Sequence, residues 1–348
     1  MSAVDRARTA VVGHGVVDGP SDRDPEPPVL DDPGADRFVA GAVADRVVGL
    51  ALAAVDAGAV VVPPAAVERL ASAQRESAGV ALVLEAELLR VAALLTGAGI
   101  DLRVLKGPAL AHTAYPDPAW REFGDVDLLV RGPDLPRAAD VLAVSGYERA
   151  FRPVGRRYET EVAKSVTLRS PRGWEIDLHR TVATGPWGVL VDPDSLWSPR
   201  ADLELGGVDL PTLPPELHLA HALVHVGLGS PTPRGSNLRD LLQLGDGTVD
   251  RAEVLRLLRS WSALAPAREA RGFLPPELRS GLDWLGHGEP TRRERRWMAL
   301  HRRSPQPFRR LTIEGLVVAG PSRRSLRYLR AVAPLLLPAA AQGRARRG

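Results

Sequence analysis

Three aspartates and a lysine are the residues whose types and spacing in this chain could do chemistry. Asp125 and Asp127 lie two apart in Gly124-Asp125-Val126-Asp127-Leu128-Leu129-Val130. In a strand, residues two apart point to the same side. Both carboxylates are then expected to leave one face, toward solvent, while Val126, Leu128 and Val130 pack the other. Neighbouring carboxylates repel each other unless a cation sits between them, and a divalent metal with oxygen ligands fits that need. Trp174-Glu175-Ile176-Asp177-Leu178-His179 alternates in the same way, with Glu175, Asp177 and His179 on the polar side. Paired beside the first strand, it would complete a metal site of Asp125, Asp127 and Asp177. Such a site suits in-line transfer at phosphorus, where two metals about 3.5–4 Å apart clamp the attacking and leaving oxygens.

The elements that must position these residues can be read around them. Leu102-Arg103-Val104-Leu105 is an apolar strand that stops at Lys106-Gly107. Pro108 suits the first turn of a helix, and a loop carrying Arg121 leads into the Asp125/Asp127 strand. The free N–H groups of a helix start attract anions, so Lys106 and Gly107 are placed to meet a phosphate. Lysine usage sharpens this. Of 45 basic residues only Lys106 and Lys164 are lysines. A lysine kept at a strand-to-helix turn, in a chain that otherwise uses arginine, points to a specific task for a compact point charge.

On Leu105-Lys106-Gly107, Tyr115, Arg121, Asp125-Val126-Asp127-Leu128-Leu129-Val130 and Glu175-Ile176-Asp177-Leu178-His179, the chain resembles the polymerase β-like nucleotidyltransferase superfamily. Within it, the wording is similar to a bacterial family labelled uncharacterised nucleotidyltransferase. The specific motifs cover residues 102–180, and the flanking helices extend the likeness over most of the chain after about residue 37. The resemblance implies transfer of a nucleoside monophosphate from an NTP, such as ATP, to a hydroxyl-bearing acceptor. It implies Mg²⁺ or Mn²⁺ held by Asp125, Asp127 and Asp177, with Asp177 also a candidate general base. Lys106 and Gly107 would cradle the phosphates, and Arg121 would neutralise charge on the transferred group. Superfamily members commonly carry Gly-Ser where this chain has Lys106-Gly107, so Lys106 is expected to replace the missing hydroxyl. A second reading stays open: a protein of this fold without turnover that binds nucleotide or a macromolecular partner.

The expected fold class is α+β. A small mixed β-sheet core at 99–204 carries helices on one face and the acids on the other. Helical regions at 37–98 and 205–340 flank it. Residues 1–36, rich in Pro and charge, read as a disordered tail, and 341–348 as a basic tail. Residues 181–204 read as irregular. His218, His221 and His225 fall three and four apart on one helical face. Zinc is conceivable there, but no acid at matching spacing joins them, so they read as core or interface histidines. In Leu238-Arg239-Asp240-Leu241, Asp240 is expected to pair with Arg239 or with a histidine.

The 348 residues include no cysteine, which excludes disulfides and thiolate ligands or nucleophiles. No charge-free apolar run reaches the length of a membrane span and no signal peptide is evident, so a cytoplasmic protein is expected. The net charge of +3 is uneven. Residues 291–348 hold 15 arginines against two glutamates, a local net of +13, and the other 290 residues carry −10. Such an end permits contact with nucleic acid or an acidic partner, although it reads first as a solvated helical face. Only Trp297 and Tyr328 lie among the arginines as stacking platforms.

Overall fold

The computed structural model describes residues 1–16, 26–153, 155–183, 187–245, 249–303, 328, 330 and 331. Seven strands form one mixed sheet: β1 (Leu102–Leu105), β2 (Val126–Val130), β3 (Glu148–Arg149), β4 (Ser165–Arg169), β5 (Glu175–His179), β6 (Ala201–Leu205) and β7 (Val208–Thr212). Their order is β3-β4-β5-β2-β1-β7-β6, so β2 is central. It runs antiparallel to β1 and parallel to β5. The fold is α+β.

Thirteen α-helices are named, beside short 3₁₀ turns. They are α1 (Ala3–Gly13), α2 (Asp32–Asp45), α3 (Val48–Asp56), α4 (Pro64–Gly97), α5 (Lys106–Thr113), α6 (Leu135–Val144), α7 (Arg156–Glu161), α8 (Trp187–Leu190), α9 (Pro215–Leu228), α10 (Gly235–Gly245), α11 (Arg251–Ser260), α12 (Leu264–Gly272) and α13 (Arg292–Arg303). The 34 residues of α4 extend about 50 Å at 1.5 Å each. Its first turns, with Ala66 and Leu70, pack among α1–α3. Its last turns, with Leu84, Leu88, Val91 and Leu95, lie with α6 against Val126, Leu128 and Val130.

The opposite sheet face is not open. Leu105 and Leu129 point into a large apolar cluster with residues of α9, α10, α11 and α12. The acids therefore lie between the sheet and the C-terminal helices rather than on a bare face. The hairpin β6–β7 also crosses the expected boundary between residues 204 and 205, and it occupies part of the stretch read as irregular.

The tail expected at 1–36 is structured in part. Ser2 caps α1 by accepting the Asp5 N–H at 3.1 Å, while the Asp5 carboxylate takes the Ser2 N–H at 2.9 Å. Ala7, Val11 and Val12 are buried. A short helix is marginal alone, and tertiary packing of its apolar face supplies what propensity does not. Asp31 caps α2 by accepting the Gly34 N–H. Of the helical region expected at 205–340, the part beyond residue 303 lies outside the described residues apart from 328, 330 and 331, as do the tail at 341–348 and most of the C-terminal arginines. Within α13, Arg302 binds Glu269 and two carbonyl oxygens, and the Arg293 guanidinium stacks on Trp297. Among the described residues, no helix is long and apolar enough to cross a membrane.

Candidate active site

The centre of the sheet brings the expected acids together by register. Asp127 on β2 stands opposite Asp177 on β5 and opposite Leu105 on β1. Thr167 on β4 faces Asp177 and donates its hydroxyl to the carboxylate at 2.5 Å. His179, two residues on, points to the same side and donates through Nε2 to Asp127 Oδ1 at 2.5 Å. One ligand atom from each of Asp127, Asp177 and His179 lies within 4.8 Å of the others. Asp125 precedes β2 and stands outside this close group, on the wall of the adjoining cavity. The close set is thus Asp, Asp and His rather than the three aspartates expected.

Lys106 reaches the same carboxylate oxygen. An extended residue at 106 would point away from Leu105 and Asp127. Lys106 instead adopts φ +46°, a left-handed conformation that costs a non-glycine residue roughly 1–2 kcal/mol. The turn returns its side chain to the acid face, where Nζ lies 2.8 Å from Asp127 Oδ1. Gly107 follows because there is no room for a side chain: a Cβ there would come within 2.8 Å of the Phe123 Cβ.

Burial sets the electrostatics. It pushes the Asp127 carboxyl up, but Lys106 and His179 outweigh it and hold Asp127 well below the usual carboxylate range. Burial lowers the His179 imidazole more than Asp127 raises it, so the ring is neutral. Its Nδ1, buried and without a hydrogen-bond partner, keeps its lone pair. The Lys106 ammonium is penalised by burial but favoured more by Asp127, and stays charged. Burial and the Asp127 charge push Asp125 up. Asp127 is only 3% exposed, so the solvent-facing carboxylate expected there is corrected. The cause is the layer of C-terminal helices over this face.

Arg121 is also brought to the site, but its fork is committed. Nε and Nη2 donate to the two oxygens of Asp240 at 2.7 and 2.8 Å, and Nη1 donates to the Glu122 carbonyl. Tyr115 donates its hydroxyl to Asp240 Oδ1 at 2.7 Å. Asp240 therefore pairs with neither Arg239 nor a histidine. The Arg239 guanidinium instead donates to the Val12 and His14 carbonyls and to Gln243. His218 bonds Thr212, while His221 and His225 stack edge to face and line the inner end of the site with Lys106. No described metal-binding group includes these histidines.

Four residues not expected from the sequence complete the picture. Arg46, Arg234 and Asn237 line a cavity of about 190 Å³ together with Lys106, Asp125 and Asp127. Lys164, just before β4, is brought near the acids. Burial first, and Lys106 second, push its ammonium down to about 8. Both lysines of the chain thus converge on one site, a signal already present in their scarcity.

The sequence profile of a family described as uncharacterised nucleotidyltransferase matches residues 31–272. The chain belongs to that family. The match contains the whole sheet, the acids and α9–α12. The comparison with curated proteins finds no match. Among solved structures the chain is similar to an antigenic nucleotidyltransferase-like protein from Paracoccidioides brasiliensis, at 19% identity and a TM-score of 0.36. That similarity covers 58% of this chain and 92% of the other.

Proposed function

We propose that the protein is a metal-dependent nucleotidyltransferase of the polymerase β-like type, moving a nucleoside monophosphate from an NTP to a hydroxyl-bearing acceptor. The observation that carries the reading is the register of β2 and β5. It sets Asp177 and His179 beside Asp127, which lines a cavity together with Asp125, Lys106, Arg46 and Arg234. Two carboxylates and an imidazole, with one ligand atom of each within 4.8 Å of the others, are a donor set that suits Mn²⁺, and through the carboxylates Mg²⁺. The metal, held by Asp127 and Asp177 with His179 or Asp125 beside them, would supply charge neutralisation at the reacting phosphate.

The chain's own residues supply the rest. Lys106 gives a point charge to the phosphates, and Gly107 lets the helix start approach them. Asp177, hydrogen-bonded by Thr167, is placed to accept the acceptor's proton. Arg121 braces the wall through Asp240. In the reaction the acceptor oxygen forms a bond to the α-phosphorus. The bond from that phosphorus to the bridging oxygen breaks, diphosphate leaves, and the hydroxyl proton passes to Asp177.

The test is incubation with each NTP and Mg²⁺ or Mn²⁺, following diphosphate release and the intact mass of candidate acceptors and of the protein itself. A mass gain of one nucleotide, absent in Asp177→Asn, is expected. Absence of both signals with every NTP would overturn the reading. One observation favours a second reading, nucleotide binding without turnover: Asp127 Oδ1 is already saturated by Lys106 and His179. Saturable NTP binding with no diphosphate release would select it.

A further inference from the structure

Three cations from separate parts of the chain line one cavity at the site. Arg46 follows α2, Arg234 precedes α10, and Lys106 opens α5. Asp125 and Asp127 line the same cavity, and the other acids nearby are engaged elsewhere. Asp45 takes Arg8 at 2.7 Å and the Gly235 N–H at 3.0 Å. Glu122 accepts the Val48 N–H, and Asp240 is filled by Arg121 and Tyr115. Among the described residues, neither the Arg46 nor the Arg234 side chain makes a hydrogen bond or an ion pair.

Arg46 is built into its place. It lies half-buried at the left-handed end of α2, with φ +56°. Its guanidinium passes over Gly124, where a Cβ would come within 3.0 Å of Nη2. Burial and the neighbouring Arg234 both disfavour its charge, and Asp125 only partly offsets them. Asp127 is taken by Lys106 and His179, which leaves Asp125 as the carboxylate lining the cavity with both guanidiniums. Two guanidiniums sharing one carboxylate keep an excess of positive charge, and an anion that bridges them would relieve it. A guanidinium fork fits phosphate oxygens in pairs.

We infer that Arg46 and Arg234 form a polyphosphate-binding pair that grips the outer phosphates of a nucleoside triphosphate whose reacting phosphate faces Asp127 and Asp177. The inference rests on the transferase reading for the identity of the ligand, but not for the binding of polyphosphate itself. It assigns the outer phosphates to one residue from the N-terminal helices and one from the C-terminal helices, in a chain that lacks the usual hydroxyl contact. Arg121, expected from the sequence to neutralise charge on the transferred group, is held by Asp240 and takes no part in this grip.

The experiment is calorimetric titration of the full chain with inorganic tripolyphosphate in the absence of divalent metal. Binding is expected in the parent. Arg46→Gln and Arg234→Gln should each weaken it about tenfold or more, the loss of one charged hydrogen bond or more. Arg46→Lys should fall between, since it keeps the charge and loses the fork. Arg69→Gln, remote on α4 and paired with Asp36, makes the same change in net charge and should bind as the parent does. Melting curves identify any variant that fails to fold, and Arg234, exposed at the mouth, gives an independent arm. No binding in the parent, or binding by both glutamine variants equal to that of Arg69→Gln, would overturn the inference. Tripolyphosphate binding that depends on both arginines, in a protein that releases no diphosphate from any NTP, would uphold it while the transferase reading fell. Nucleotide transfer with an unchanged KM for NTP in both glutamine variants would do the reverse.

Discussion

Two buried ion pairs frame the site, and they are built differently. Arg121 and Asp240 meet fork to carboxylate, both less than a tenth exposed, with Tyr115 completing the acceptor. Lys106 and Asp127 meet at a single oxygen through a flexible stem, and the lysine side chain is 18% exposed on the cavity wall. A planar fork held on both arms has one geometry. A point charge on four carbons can follow an anion as it moves. The first pair is therefore architecture, tying the loop before β2 to α10. The second fixes its lysine at one carboxylate oxygen only and leaves the stem free to move. What separates them most is how many hydrogen bonds fix each charge.

The comparison is tested most severely at Asp240. Asp240→Ala leaves Arg121 buried and unpaired and removes the Tyr115 acceptor. It should cost about 3–5 kcal/mol, as breaking a buried pair does, read as a shift of the urea midpoint at constant slope. A loss below about 1 kcal/mol, typical of surface pairs, would erase the distinction.

Asp127→Asn should cost less, about 2–3 kcal/mol, because Asp125 and Asp177 still oppose the Lys106 charge. The same variant should lose metal-dependent NTP binding in a calorimetric titration. Parent-like stability would mean that the carboxylate is solvated rather than buried, as the sequence alone suggested.

At Lys106 the two halves of its role separate. Lys106→Ala and Lys106→Gly should both weaken NTP binding by about tenfold. The glycine variant should be the more stable of the two by about 1 kcal/mol, because it adopts φ +46° without strain. Equal melting temperatures would argue that the left-handed turn stores nothing.

The smallest effect is expected at Lys164. Its folded value of about 8 lies below its ordinary 10.5, so the charged form is penalised in the fold. Between those values the unfolded chain binds a proton that the folded chain does not, and stability rises with pH. Lys164→Met should be about 1 kcal/mol more stable than the parent at pH 7, after allowance for partial exposure. The advantage should vanish by about pH 10.5. A constant difference across that range would remove Lys164 from the electrostatics of the site.

Much of this site was legible in the sequence. Period-two alternation placed Asp127, Asp177 and His179 on one face, and the β2–β5 register then brought them together. The Ala201–Thr212 hairpin was also legible but passed over. Gly206-Gly207 between two alternating runs is a strong turn signal, obscured by the surrounding prolines and by Pro211. Arg46 and Arg234 could not be found that way. They approach Asp125 from opposite ends of the chain, and nothing local marks either one among 43 arginines. The commitment of Arg121 was hidden for the same reason, since its partner lies 119 residues on. The α1 helix carried a capping signal at Ser2 and Asp5, too short to stand out beside a charged, proline-rich neighbour.

The convergence of both lysines has a practical consequence. Apart from the N-terminal amino group, the chain's only primary amines belong to Lys106 and Lys164. Reductive methylation with a ¹³C label would thus place two reporters at the acid cluster and one at the far end of the chain. Resonances from the first two should respond to metal and to polyphosphate. The third is a built-in reference, since Met1 lies outside the cavity lining. A chain that replaces lysine with arginine almost everywhere else has made its candidate site the one interior place where amine chemistry is selective.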